Sequence, residues 1–223
     1  KKDFLNNFSK LKKKISVVYN PININEIHKL SYEKILTKDN SKFKIISIGR
    51  LVKQKNFSNL IRAFEVVQSE VKKIHLIIIG DGYEKKKLKK LVSFLKIKKK
   101  VTFLGEVKNP YKYLKNSDLF VLSSDYEGFG LVITEGMAYG VVPIVYGSYE
   151  AVYDIIDNNN NGFILDEPYR KELFVEKIQM LINDEVHLKA LSRNSFGIRT
   201  KFSMNHIYKR WLDLLHSALK ASN

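Results

Sequence analysis

Leu119-Phe120-Val121-Leu122-Ser123-Ser124-Asp125-Tyr126-Glu127-Gly128-Phe129-Gly130-Leu131-Val132-Ile133-Thr134-Glu135 decides the fold. Four consecutive apolar residues read as a strand buried on both faces. A turn carrying Gly128 and Gly130 follows, and then a helix predicted over 130–140. A strand, a glycine-rich turn and a helix start make a place for an anion, because the first helical amides point at it unpaired. Glycines at 128 and 130 let a ligand approach the backbone. Glu127 is expected on the turn and Glu135 about two helical turns in. Both carboxylates can accept hydrogen bonds from sugar hydroxyls beside a phosphate. The same features also serve an ordinary turn and an ordinary helix cap, so the rest of the chain has to decide between the two readings.

Outward from this stretch the pattern repeats. Strands are expected at Lys44–Ile48, His75–Ile79, Val101–Leu104, Val142–Val145 and Phe163–Leu165. Helices are expected between them, marked by Phe57, Leu60, Ile61, Phe64, Val67 and Val71, then by Leu88, Leu91, Val92 and Leu95. Pro110 opens a short helix to Lys115, and Glu150–Ile156 reads as helical. Near-continuous apolar strands alternating with amphipathic helices predict an α/β, Rossmann-like parallel sheet with helices on both faces. The ligand site of such a sheet lies beyond the carboxyl ends of its strands. Gly49–Lys55, Gly80–Gly82 and Ser123–Gly130 all fall at such ends. Residues 170–220 read as helices, where Met204, Ile207, Tyr208, Trp211 and Leu215 form a stripe expected to pack in the ordinary way. Val17–Pro21 reads as a short strand entering a turn.

Composition bounds the function. With 44% apolar residues in 223, the chain can bury a core. No apolar run approaches the ~18 residues that span a bilayer, and no signal-peptide pattern is present. The absence of cysteine excludes disulfides and thiolate metal sites. The five histidines are scattered without ligand spacing, so no metal is expected. The net charge is +16, from 39 basic and 23 acidic residues. It admits nucleic acid, an anionic membrane or phosphorylated small molecules as partners, or plainly solvated lysines. The lysines cluster at 10–14, 85–90 and 96–100. No nucleic-acid module is present, so nucleic acid is not expected. The chain opens on Lys1-Lys2-Asp3 without an initiator Met and is expected to be a piece of a longer protein.

Arg50 and Lys55 stand on the loop after the first strand. An Arg fork and a mobile Lys charge suit a diphosphate. Together with Ile79-Gly80-Asp81-Gly82, Val101–Gly105, Ser123–Glu135, Ala138–Pro143 and Gly162–Ile164, the segments Gly49–Leu51 and Lys55–Asn56 resemble the retaining glycosyltransferases of the large group 1 family.

The resemblance runs from about 15 to 215. It implies the C-terminal half of a GT-B fold, whose two Rossmann-like domains face across a cleft. It divides the chain into a tail and hinge at 1–42 from an N-terminal acceptor domain, a nucleotide-sugar-binding domain at 43–200, and a C-terminal helix at 201–223 packing back toward the hinge. By family pattern Arg50 and Lys55 would bind the donor diphosphate, Glu127 the sugar and Glu135 the ribose. Amides of Phe129, Gly130 and Leu131 would face the phosphates or the sugar. Phe103 and Leu104 would hold the base, Gly49 would lie beside the phosphates, and Gly82 would permit close packing near the donor.

The implied donor is a UDP- or GDP-linked sugar, with no cofactor and no metal. The implied acceptor is a glycan or a lipid-linked saccharide, as in polysaccharide, lipopolysaccharide or capsule biosynthesis. The implied location is cytoplasmic, peripheral at the inner face of the membrane. Gly136 and Gly147-Ser148-Tyr149-Glu150 depart from the family's usual Ala and Gly-Gly. Sugar epimerases and glycogen-type synthases share the architecture, and a basic non-catalytic module for membrane or nucleic acid is the alternative from another class.

Overall fold

The computed structural model describes residues 15–33, 43–166 and 169–221. The lysine run at 10–14 lies outside them, as do the segment 34–42 and most of the predicted tail. Six strands form one sheet: β1 (Phe43–Ile48), β2 (Ile74–Ile79), β3 (Val101–Gly105), β4 (Leu119–Leu122), β5 (Val142–Tyr146) and β6 (Phe163–Leu165). All neighbours pair in parallel, in the order β3-β2-β1-β4-β5-β6. Every residue of β4, β5 and β6 is buried, as strands covered on both faces must be.

The cover is divided by the chain's own order. α2 (Phe57–Glu70) and α3 (Lys85–Phe94) follow β1 and β2, and α7 (Lys171–Asn183) lies with them. Phe57, Leu60, Ile61, Phe64 and Val67 recur at helical spacing and are all buried against that face with Leu88, Val92, Phe174, Ile178 and Leu181. The other face is closed by α1 (Ile24–Leu30), α4 (Tyr111–Leu114), α5 (Leu131–Met137) and α6 (Val152–Ile155), through Ile27, Leu114, Ile133, Met137, Val152 and Ile155. α8 (Glu185–Ser195), α9 (Ile198–Lys201) and α10 (Met204–Ala221) complete the chain.

From β1 the strands run one way to β2 and β3, and from β4 the other way to β5 and β6. The order therefore reverses between β1 and β4, and a doubly wound sheet opens its ligand crevice there.

Several expectations need correction. The helix predicted over 130–140 is only Leu131–Met137, because Gly140 turns the chain at φ 77° while its amide closes on Met137. Glu135 therefore sits just over one turn in, not two. The helix predicted over Glu150–Ile156 is Val152–Ile155. Val17–Pro21 forms no strand; the bridge in that region is at Ile22, parallel to Ser203, whose neighbour Phe202 accepts the Ile22 amide at 2.7 Å. The stripe on α10 does not pack in the ordinary way. Ile207 is buried, but Met204, Tyr208, Trp211 and Leu215 are 50–63% exposed.

Candidate functional site

Two loops meet at the reversal point. After β1 the chain runs through Gly49-Arg50-Leu51 into a 3-10 turn at Lys53–Lys55, and Asn56 takes a left-handed conformation to start α2. Asn tolerates that region better than most side chains. This loop is stitched to the loop after β2 by Leu51 N to Asp81 O at 2.8 Å and Glu84 N to Leu51 O at 2.9 Å. The stitching needs glycine. A Cβ on Gly80 would stand 2.0 Å from the Gly49 oxygen, and one on Gly82 2.4 Å from the Leu51 oxygen. Gly82 thus has a packing role, holding the phosphate-loop candidate against β2 (its local reason in this structure).

The loop after β4 clamps the other side. Ser123 Oγ donates to the Lys55 carbonyl at 2.9 Å, and Asp125 N donates to the Gln54 carbonyl at 2.9 Å. Gln54 Nε2 donates to the Tyr126 carbonyl at 2.7 Å, and Asn56 Nδ2 to Asp125 Oδ1 at 2.9 Å. These bonds deliver Lys55 Nζ to Glu127 Oε1 as an ion pair, which also receives Ser124 Oγ at 2.6 Å. The two side chains are 15% and 12% exposed. A pair so far withdrawn from water is costly to break unless something replaces the lost partner. The Lys55 stem runs over Gly49, with Cε 3.5 Å from where a Cβ would be.

A cleft of about 940 Å³ adjoins the pair. Glu127, Gly128 and Phe129 line one wall, Ser148, Tyr149 and Asp154 another, and Val17–Asn20 a third. The loop after β5 is tied in through Ser148 Oγ to the Ser124 carbonyl at 2.8 Å. Phe129 stacks on Tyr19 with ring centroids 5.9 Å apart and meets Phe202 edge-on at 5.6 Å, so its ring fastens the 15–20 segment to the site. Gly130 starts α5 at φ 87°, where a Cβ would lie 2.8 Å from Tyr149 Oη. Leu131 is 42% exposed. Gly128 faces open space.

Glu135 is half-buried on α5, where Tyr111 Oη donates to its Oε1 at 3.2 Å. Burial raises its pKa above the ordinary carboxyl value, and the Tyr111 bond partly opposes that. Burial also raises the Tyr149 hydroxyl, and the Glu127 carboxylate adds to the effect.

The structure thus brings together Gly49, Lys55, Glu127 and the glycines that shape their loops. Arg50 is exposed, and its side chain has no hydrogen-bond or ion-pair partner among the described residues. Arg50, Lys55 and Glu135 do not line the cleft that holds Glu127. Phe103 packs against the core on the α2 side and lines a separate depression with Lys89, Lys90 and Lys98, while Leu104 packs toward the opposite face. Among the described residues no three His, Asp or Glu side chains gather as metal ligands would.

Sequence reading missed Ser124, Ser148 and Tyr149. Paired small hydroxyl residues at a strand end signal the first. Nothing in the sequence signals Tyr149, whose hydroxyl is buried without a hydrogen-bond partner among the described residues.

The family model described as glycosyl transferases group 1 matches residues 29–197. The chain is 32% identical to the N-acetylgalactosamine-N,N'-diacetylbacillosaminyl-diphospho-undecaprenol 4-alpha-N-acetylgalactosaminyltransferase of Campylobacter jejuni, over 89% of this chain and 52% of that protein. It is 30% identical to the capsular polysaccharide biosynthesis glycosyltransferase CapM of Staphylococcus aureus, over 86% of this chain and 50% of that protein. The chain therefore spans about half the length of these curated relatives. Among solved structures, Anabaena HepE in complex with UDP and glucose superposes with a TM-score of 0.79 at 23% identity, covering 91% of this chain and 57% of that one. That likeness is one of fold. S. aureus TarM, crystallised with UDP among its ligands, superposes with a TM-score of 0.76 at 25% identity, over 90% of this chain and 39% of that one. On the sequence match, the sheet order and the loops at its reversal point, this chain belongs to the glycosyl transferases group 1 family.

Proposed function

We propose that this chain is the donor-binding half of a retaining glycosyltransferase, moving a sugar from a nucleotide diphosphate sugar to a glycan or lipid-linked acceptor. The observation that carries the reading is the withdrawn Lys55–Glu127 ion pair, held by two interlocked loops at the reversal point of the sheet. In this reading residues 43–200 are the donor domain, 1–42 the hinge from an acceptor domain, and 201–223 a helix returning toward that hinge. The contact of Arg210 with the Val17 carbonyl supports the last assignment. The names of the relatives support the acceptor class: one acts on a diphospho-undecaprenol-linked substrate and one serves capsular polysaccharide. The donor is UDP- or GDP-linked, and TarM's UDP favours the first. No metal is required if cationic side chains neutralise the leaving group. The working place is the cytoplasmic face of a membrane.

The chemistry asks the protein to stabilise a departing diphosphate while the anomeric carbon gains oxocarbenium character. Negative charge grows on the leaving phosphate, so fixed donors there act more on the transition state than on the ground state. Lys55, Arg50 and the amides of Phe129, Gly130 and Leu131 are those donors. Glu127 contacts the sugar, Glu135 the ribose, and the backbone around Phe103-Leu104-Gly105 the base. Glu127 holds Lys55, and a diphosphate competes for that lysine and releases the carboxylate toward the sugar.

Calorimetric and thermal-shift titration with UDP, GDP and ADP tests the reading. One nucleotide is expected to bind and, at a hundred times its Kd, to stabilise the fold by about 2.7 kcal/mol. Loss of a charge-assisted bond is worth about 1.5–3 kcal/mol, so Lys55→Ala is expected to weaken binding roughly 10- to 150-fold. If no nucleotide binds, or if Lys55→Ala binds as well as the parent chain, the assignment fails.

A further inference from the structure

Residues 85–100 read KKKLKKLVSFLKIKKK, nine lysines in sixteen positions with no carboxylate and no arginine. The fold lays this run out as one face. Leu88, Val92 and Ile97 are buried, which turns Lys86, Lys90 and Phe94 outward at successive i, i+4 positions along α3. Phe94 is 78% exposed, the equal of any large apolar side chain among the described residues. Lys89, Lys90 and Lys98 line one shallow depression, so the lysines of α3 and those of the following 3-10 turn share a single surface. Lys85 pairs with Asp81, whose carboxylate Lys89 also faces, and Lys87 pairs with Glu84, whereas Lys86, Lys90, Lys98 and Lys99 have no anionic partner among the described residues.

This arrangement is unfavourable for the helix itself. Lys86 and Lys90 repel one another at i, i+4, and three lysines crowd the positive end of the helix dipole. An external anion relieves both effects.

We infer that the α3 lysine face, with the exposed Phe94 in the row of Lys86 and Lys90, docks this domain on an anionic lipid bilayer. Lysine is a compact mobile charge that suits laterally mobile headgroups, while fixed recognition of phosphates in nucleic acid favours the arginine fork, which this face lacks. Protein interfaces also deplete lysine. A basic face with one exposed apolar ring fits the headgroup boundary of a membrane. The inference extends the membrane partner proposed above to a particular surface, and it does not depend on the nucleotide site.

The test is sedimentation of the chain with vesicles of phosphatidylethanolamine containing phosphatidylglycerol, and with pure phosphatidylcholine vesicles, at low and high salt. Binding to the anionic vesicles alone, reversed by salt, is expected. The triple variant Lys86→Gln, Lys90→Gln and Lys98→Gln is expected to bind roughly 100-fold more weakly, each lysine being worth roughly fivefold. Lys171→Gln, Lys189→Gln and Lys209→Gln together remove the same charge from exposed positions elsewhere and are expected to leave binding within about twofold. Phe94→Ser is expected to weaken the binding at low salt. Equal loss in the two triple variants would show that net charge acts without a docking face. Equal binding to neutral vesicles, no binding at low salt, or binding of single-stranded RNA in place of vesicles would each overturn the inference. Nucleotide titration of the same variants reads the donor site separately, so failure of one proposal does not imply failure of the other.

Discussion

At the scale of single residues, the candidate site sets stability against binding. Glu135 lies within the fold with one tyrosine hydroxyl as its partner, and burial raises its pKa. A carboxyl with a raised folded-state value holds its proton better in the folded chain than in the unfolded one. The stability it contributes is therefore complete below the ordinary carboxyl value and is lost as pH rises through the raised value. Glu135→Gln removes the ionisation and leaves a carbonyl to accept the Tyr111 bond. The variant is expected to melt higher than the parent near neutral pH, with the gain vanishing as pH falls below the carboxyl range. It is also expected to bind nucleotide more weakly. A series of melts across pH checks this; a gain that does not change with pH would place the effect in packing rather than in charge. The carboxylates were legible in the sequence because they flank glycines after an apolar run. Their surroundings were not. Ser124 reaches Glu127 from three residues upstream in the same loop, but Tyr149 comes from the loop after β5, and no local spacing encodes which loops will touch.

At the scale of elements, β4 and β5 were readable because a strand covered on both faces is apolar at every position. Helix ends were less readable. Tyr139-Gly140 carries the stop signal for α5, since glycine is favoured at the left-handed position that closes a helix, yet the apolar spacing continues through Ala138 and Val141 and suggests a longer element. Inside that short helix Gly136 costs conformational entropy without a need for it. A Cβ there would meet Leu114 Cδ2 at 3.5 Å and Phe120 at 3.8 Å, which is ordinary contact. Gly136→Ala is expected to stabilise the domain by about 0.5–1 kcal/mol, read as a higher urea midpoint with an unchanged slope. A lower midpoint would show that Leu114 cannot accept the methyl group. Because α5 carries Glu135 and follows Gly130, the same variant tests whether stiffening the helix alters nucleotide affinity.

At the scale of the whole molecule, the sequence was legible in its sheet and misleading on its outside. The α10 stripe has the spacing of a packed helix, but packing depends on what stands opposite, and periodicity does not report that. Met204, Tyr208, Trp211, Leu215 and Leu219 are exposed in a chain that spans about half of its curated relatives. Charge is the other global property. A net +16 makes the folded state repel itself, because folding brings like charges closer than the expanded chain holds them. The repulsion is densest along residues 85–100, where lysines are neighbours in sequence, along the helix and across the depression beside β3. Exposed charges further apart than about 10 Å are screened at ~0.1 M salt, so salt relieves the long-range part first and the contacts between adjacent lysines last. The melting temperature is accordingly expected to rise with sodium chloride and then level off. The variant lacking Lys86, Lys90 and Lys98 is expected to start higher and rise less, and the variant lacking Lys171, Lys189 and Lys209 to fall between it and the parent chain. A melting temperature that is flat or falling with salt would mean that the surviving ion pairs, Lys55–Glu127 foremost, outweigh the repulsion.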